Sequence, residues 1–148
     1  MTNTAYIFDI DGTIADNSHR QQFVRSKPKN WKAYNSMMAD DKPIDATIAV
    51  CNTLYTGADI ILCTGRQEKD RKLTEDWLLA HKVEYDELFM RKTEDFRDDT
   101  IVKKEMLDKI RELGYAIVGA FDDRPKVVAM WRTNGIFVFD INQSGEVF

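Results

Sequence analysis

Phe8-Asp9-Ile10-Asp11-Gly12-Thr13 follows directly on the apolar residues Ala5 to Ile7. Apolar residues first, then two acids two positions apart, then glycine: the pattern reads as the end of a buried strand. In an open α/β sheet, ligands bind in the crevice beyond the C-terminal strand ends. Two acids placed there repel each other unless a cation binds between them. Glycine permits a sharp turn in which backbone amides face an anion. Asp-Gly is also ordinary turn chemistry, so the hexapeptide has to be read together with the rest of the chain.

Outward from this stretch, apolar β-rich runs recur at Ile60 to Cys63, Glu87 to Met90, Ala116 to Phe121 and Ile136 to Ile141. Helical patterns lie between the later runs. They are Thr74 to His81, Ile101 to Leu113 with Val102, Met106, Leu107 and Ile110 at helical spacing, and Val127 to Asn134 before the helix-stop Gly135. Alternation of this kind predicts right-handed βαβ units and an α/β fold with a doubly wound parallel sheet. The segment from Asp16 to Lys42 breaks the alternation. It holds Arg20, Arg25, Lys27, Lys29, Trp31, Lys32 and Tyr34, with Pro28 as a breaker. It reads as two short helices, or a helix and a loop, overhanging the site as a small lid or substrate-contact insert.

Three further strand or helix ends carry polar groups suited to the same crevice. The second strand ends in Cys63-Thr64-Gly65-Arg66. There a hydroxyl can donate to a phosphoryl oxygen, and the arginine can add a bidentate contact. Thr-Gly-Arg is also a common loop sequence. The fourth strand ends in Phe121-Asp122-Asp123-Arg124, where adjacent carboxylates are costly without a counter-charge. The same acids before Pro125 also make a good helix start, and one acid can cap while the other binds metal. Lys103 shares a helical face with Met106, Leu107 and Ile110, whereas Lys104 shares one with Asp108 and Arg111. Lys103 is therefore expected to point toward the sheet and its acids, or else to snorkel outward; Lys104 is expected in a solvated stripe.

The chain has 148 residues, 43% hydrophobic and 31% charged, which predicts one globular domain over 1–148. No apolar run is long enough to span a bilayer, and the polar start Met1-Thr2-Asn3-Thr4 does not resemble a signal peptide. A cytoplasmic protein without a membrane partner is expected. Cys51 and Cys63 fit no close-spaced metal pattern and read as buried thiols. A net charge of −4 argues against strong non-specific nucleic-acid binding but leaves room for a local basic pocket.

Asp9-Ile10-Asp11-Gly12-Thr13, Thr64-Gly65-Arg66, Lys103 and Asp122-Asp123 match, in chain order, the four motifs of the haloacid-dehalogenase superfamily, and the chain resembles its phosphatase branch. Asp122 to Arg132 with the later Gly135, and also Arg20 and Arg66, look like the phosphatase domain of phage-type polynucleotide kinase-phosphatases. The resemblance runs from Tyr6 to Phe148. Two departures stand out: no Gly-x-x-x-x-Gly-Lys-Ser/Thr loop occurs, and Asn17 to Asp41 matches loosely beyond Arg20.

The resemblance implies a sheet of about five strands in the order 3-2-1-4-5, with a small helical lid after strand 1. It also implies a hydrolase acting on phosphoric monoesters, in which Asp9 is the nucleophile and Asp11 the acid and base. Thr64, Gly65 and Lys103 would bind the phosphoryl group, and Arg20 and Arg66 the substrate. The implied cofactor is Mg²⁺, held by Asp9, the backbone carbonyl of Asp11, and one of Asp122 or Asp123. A general acid in this role needs surroundings that keep a proton on Asp11. Three functions compete: a polynucleotide 3′-phosphatase of nucleic-acid repair, a phosphatase of nucleotides or sugar phosphates, and a silent phosphate-binding module. The first brings nucleic-acid 3′ ends as substrate and a separate kinase or ligase as partner. The last is disfavoured because Asp9 and Asp11 are both present.

Overall fold

A computed structural model describes residues 3–145. At its centre lies β1 (Thr4–Phe8), parallel on one side to β4 (Asp59–Gln67) and on the other to β6 (Ala116–Asp122). β5 (Glu87–Arg91) extends the sheet beyond β4, and β7 (Val138–Asp140) extends it beyond β6. The order is β5-β4-β1-β6-β7. With these five strands counted along the chain, that is the 3-2-1-4-5 order of the expected doubly wound sheet.

Both faces of the sheet are covered, which is why its central strands read as near-continuous apolar runs. Successive side chains of β4 alternate between the two cores. Ile61 and Cys63 join Ala5 and Ile7 against Val102, Met106, Leu107 and Ile110 of α5 (Asp99–Glu112) and Val127, Val128 and Trp131 of α6 (Pro125–Thr133). Ile60 and Leu62 join Phe8 and Ile10 against Ile48 and Cys51 of α3 (Asp45–Tyr55) and Trp77 and Leu78 of α4 (Arg71–Ala80). Helix ends are locally specified. The Asp98 side chain accepts from Thr100 N–H at the start of α5, and Pro125 opens α6.

The helix α3 has no counterpart in the sequence reading. Its apolar residues fall on both sides, with Ile48 and Cys51 buried but Val50 and Tyr55 exposed. Its β-branched Thr47, Ile48, Val50 and Thr53 also weaken a helical pattern. The last strand is shorter than the apolar run Ile136 to Ile141, covering 138–140 only.

Between β1 and α3 the chain makes an excursion. β2 (Ala15–Asp16) and β3 (Lys42–Pro43) pair antiparallel at its base, Ala15 with Pro43 and Asp16 with Lys42. Within it lie a 3-10 turn at Ser18–Arg20, α1 (Gln22–Arg25), α2 (Trp31–Ser36) and a second 3-10 turn at Met38–Asp40. Of the two alternatives, two short helices or a helix and a loop, the segment takes the first. No helix among the described residues is long and apolar enough to cross a membrane.

Candidate active site

The C-terminal ends of β1, β4 and β6 bring their polar residues together. Asp9 N–H donates to the Phe121 carbonyl at 2.9 Å, which carries the β1–β6 ladder one residue past β1 and sets Asp9 beside Asp122. The turn that follows is anchored on one acceptor. The N–H groups of Thr13, Ile14 and Ala15 all donate to the Ile10 carbonyl, at 3.1, 2.8 and 2.9 Å. Gly12 has φ +86, and a Cβ there would sit 2.0 Å from Asp123 Oδ2. Glycine is required at this position both by the backbone conformation and by the approach of the acid.

Asp9, Asp122 and Asp123 form the first group, with one carboxylate oxygen from each lying within 4.8 Å of the others. Lys103, only 3% exposed, donates from Nζ to Asp9 Oδ1 at 2.7 Å and to Asp122 Oδ2 at 3.0 Å. Lys104 lies outside, paired with Asp108. The helical-face reading of this turn is therefore correct. Asp122 is held on both oxygens. Oδ2 also accepts from Trp131 Nε1 at 3.1 Å, and Oδ1 accepts the N–H groups of Asp123 at 2.9 Å and Arg124 at 3.3 Å.

Burial, and then the neighbouring Asp122, raise the Asp9 carboxyl well above the usual carboxylate range. The same two causes push Asp123 up to about 6. For Lys103, burial works against the charge, but Asp122 and Asp9 outweigh it and hold its pKa above the usual lysine value. One ammonium faces three carboxylates, so the group carries uncompensated negative charge in a buried place. A hard divalent cation bound through oxygen fits this donor set.

The Asp11 side chain takes no part in that group. It accepts from Arg20 Nη2 and Arg66 Nη2, each at 2.7 Å. Both arginines also reach Asp41, Arg20 through Nε at 2.8 Å and Nη2 at 2.7 Å, Arg66 through Nη2 at 3.1 Å. Arg20 is fully buried, with its guanidinium 4.2 Å from the centre of the Tyr34 ring. Burial alone would raise the Asp11 pKa, but Arg66 and then Arg20 outweigh it and hold the carboxyl below its ordinary value. The expectation that its surroundings keep a proton on Asp11 is thus not met in this arrangement. Two guanidiniums favour the ionised form.

Thr64 is buried at the end of β4, and its Oγ1 accepts Arg66 N–H at 3.1 Å. The pairing of β4 with β5 slips between Thr64 and Gln67. Such an irregularity re-aims side chains, and Arg66 is turned inward here onto Asp11 and Thr74. At Gly65 a Cβ would lie 2.7 Å from Asp99 Oδ1. Arg91 explains this closeness: it donates through Nε to the Gly65 carbonyl at 2.8 Å and pairs with Asp99, which also accepts from Arg124 Nη1 at 2.6 Å. Asp41, Arg91, Asp99 and Trp131 are the neighbours that sequence reasoning did not single out, and no local spacing marks them. Asp9, Asp11, Asp122, Asp123, Lys103, Gly65 and Arg66 all line one cleft of about 640 Å³.

A family model described as the polynucleotide kinase PNKP phosphatase domain matches residues 3–145. The chain belongs to this phosphatase-domain family. Two solved structures of the Pnkp1/Rnl/Hen1 complex, one described as an RNA repair complex, contain chains similar to this phosphatase domain. One is 30% identical with a TM-score of 0.78, covering 94% of this chain and 42% of the other; the second is 31% identical with a TM-score of 0.80, covering 94% and 46%. A protein of Autographa californica nuclear polyhedrosis virus, named as a bifunctional polynucleotide kinase/RNA ligase, is 26% identical over 131 residues, which is 86% of this chain and 18% of that protein. The phosphatase domain thus spans less than half the length of each of these relatives. A haloacid dehalogenase-like hydrolase of Streptococcus pneumoniae shares the fold, with a TM-score of 0.65 at 16% identity over 92% of this chain and 83% of that one.

Proposed function

We propose that this phosphatase domain removes 3′-phosphates from polynucleotide ends by a Mg²⁺-dependent, two-step covalent mechanism. The observation that carries the reading is Asp9, fixed at 2.7 Å from Lys103 among the acids of a cleft-lining cluster in a PNKP-type phosphatase domain.

In the first step an Asp9 carboxylate oxygen attacks phosphorus, and the bond to the leaving nucleoside oxygen breaks. An aspartyl-phosphate forms, and Asp11 gives its proton to the leaving oxygen. In the second step water attacks the same phosphorus, Asp11 takes the water's proton, and inorganic phosphate and free Asp9 result. Splitting one displacement in two in this way is covalent catalysis by a carboxylate.

Asp9, the Asp11 backbone carbonyl and Asp122 or Asp123 would hold Mg²⁺, whose charge would offset repulsion between an anionic nucleophile and an anionic ester. Asp123 is the better placed of the last two, because Asp122 already accepts on both oxygens. The Thr64 hydroxyl accepts Arg66 N–H, so its own proton is available to a phosphoryl oxygen. Lys103, the amide of Gly65 and the amides of Ile10 and Asp11 complete the set of donors for charge that develops there; the Gly12 amide is already given to the Ala15 carbonyl at 2.8 Å. Arg20 and Arg66 are the substrate-side residues. As arranged, they keep Asp11 as the carboxylate that the second step uses as base. The first step requires incoming substrate to draw them off it.

The 16–42 excursion serves as the substrate-contact lid of a single domain. It contributes Trp31 and Lys29 to the cleft. The relatives' names, pairing a polynucleotide kinase with a ligase and a Pnkp1 with Rnl, support a kinase or ligase as working partner. The test compares a 3′-phosphorylated oligonucleotide, its 5′-phosphorylated counterpart and a nucleoside 3′-monophosphate, with and without Mg²⁺. The proposal expects the 3′-oligonucleotide to have the highest kcat/KM and to need Mg²⁺. A mononucleotide that is hydrolysed best would favour the small-molecule reading instead, and equal cleavage of the 5′-phosphate would defeat the assigned polarity.

A further inference from the structure

Phe96, 82% exposed, stands in the loop between β5 and α5, more open to solvent than any other large apolar side chain among the described residues. It lines the same cleft as Asp9. An exposed phenyl group normally folds against its surroundings, since burying it is favourable. Here the backbone on both sides of the ring is held in place. Arg91 Nη1 donates to the carbonyls of Asp95 at 3.0 Å and Arg97 at 2.6 Å, the two residues flanking Phe96. The same arginine grips the Gly65 carbonyl at 2.8 Å, so the loop is clamped to the turn that follows Thr64. Lys69 N–H donates to Thr93 Oγ1 at 3.0 Å, and Glu94 N–H to Gln67 Oε1 at 2.9 Å, pinning the front of the loop to the end of β4 and the 3-10 turn Glu68–Asp70 that follows it. The aromatic ring is presented on a rigid mount.

The charges around it limit what it meets. Lys126 is paired with Asp98, and Arg97 with Asp95 and Glu105. This rim is therefore nearly charge-balanced and offers little to a duplex backbone. Trp31, 51% exposed, also lines the cleft, with Lys29 Nζ 5.7 Å from its ring centre. Exposed aromatics beside a phosphate site, with few unpaired cations, suit the π-face of an unpaired base.

Resting on the polynucleotide reading above, we infer that Phe96 is a specificity-determining residue: its ring stacks on a nucleobase of the single-stranded end whose terminal phosphate lies at Asp9.

The test measures the ratio of kcat/KM on a 3′-phosphorylated single-stranded oligonucleotide to that on glycerol 2-phosphate, a phosphomonoester without a base. Phe96→Ala should lower this ratio about tenfold, mainly through KM on the oligonucleotide, and Phe96→Trp should restore it. Replacing the terminal bases with abasic sugars should lower the wild-type ratio and remove the difference between wild type and Phe96→Ala. A ratio unchanged in Phe96→Ala, with wild type still active on the oligonucleotide, overturns the stacking role and leaves the polynucleotide reading standing. Wild type active on glycerol 2-phosphate and inert on the oligonucleotide overturns both. Unfolding temperatures of the variants, expected to match wild type, separate a substrate effect from a damaged loop.

Discussion

Asp9 and Asp11 are two residues apart, yet they sit in opposite electrostatic regions. Asp9 shares a pocket with Asp122 and Asp123 against the single ammonium of Lys103, and its carboxyl is pushed up. Asp11 shares a pocket with Asp41 against the guanidiniums of Arg20 and Arg66, and its carboxyl is held down. Had β1 continued, side chains two positions apart would have shared one face. β1 instead ends at Phe8, and the turn gathered on the Ile10 carbonyl separates them. One region is left short of positive charge and suits a cation. The other is balanced within the protein and suits a group that must be positioned and, on demand, exchange a proton. A cation bound in the first region would reverse the balance that pushes Asp9 up and leave it ionised, as a nucleophile must be.

The strongest way to break this comparison is Asp9→Asn. The amide keeps the shape but is a poor nucleophile, so on the proposed mechanism turnover should fall by more than about a hundredfold, ~2.7 kcal/mol in barrier. Removing one charge from a crowded cluster should leave the unfolding temperature unchanged or raised. A variant keeping more than about a tenth of the wild-type rate would remove Asp9 from the chemistry.

Next in size is the contrast between Lys103→Ala and Lys104→Ala. Loss of the buried donor should cost about a hundredfold in kcat, typical of one donor aimed at developing charge. Lys104 makes an exposed i,i+4 pair with Asp108, and such pairs contribute ~0.5 kcal/mol at most. Equal effects on rate would show that the buried ammonium has no part in turnover. A third test, read in stability rather than rate, concerns the cation itself. At about a hundredfold excess over its Kd, Mg²⁺ should stabilise the folded protein by ~2.7 kcal/mol, a rise of several degrees in Tm for a domain of this length. The rise should vanish in Asp123→Asn. A shift that persists there would remove Asp123 from the ligands, and one that persists in Asp9→Asn and Asp122→Asn as well would place the cation outside the Asp9 cluster.

Much of the fold was legible because strands buried on both faces must be apolar throughout, as Ile60 to Cys63 and Ala5 to Phe8 are. The helix α3 was not, because Val50 and Tyr55 put apolar residues on its solvent side. In the site, the groups that were legible sit at strand ends or on a helix face: Asp9, Thr64, Asp122 and Lys103. What surrounds Asp11 was not. Arg20 and Arg66 meet at its carboxylate only because the excursion folds back over the sheet and β4 slips in register at Gly65 and Arg66. Arg91, Asp99 and Arg124 likewise converge from β5, α5 and the turn after β6. Their partnership depends on tertiary closeness, of which the sequence shows only the glycine at 65 that makes room for Asp99.

On the proposed mechanism the phosphoryl group is carried on Asp9. The most direct test is acid quenching of wild-type protein during steady turnover of a 3′-phosphorylated oligonucleotide, followed by peptide mass analysis. The account predicts one added phosphoryl group on the peptide containing Asp9, and none in Asp9→Asn. Steady release of phosphate with no phosphorylated peptide at any quench time, or with the group on another residue, would contradict it.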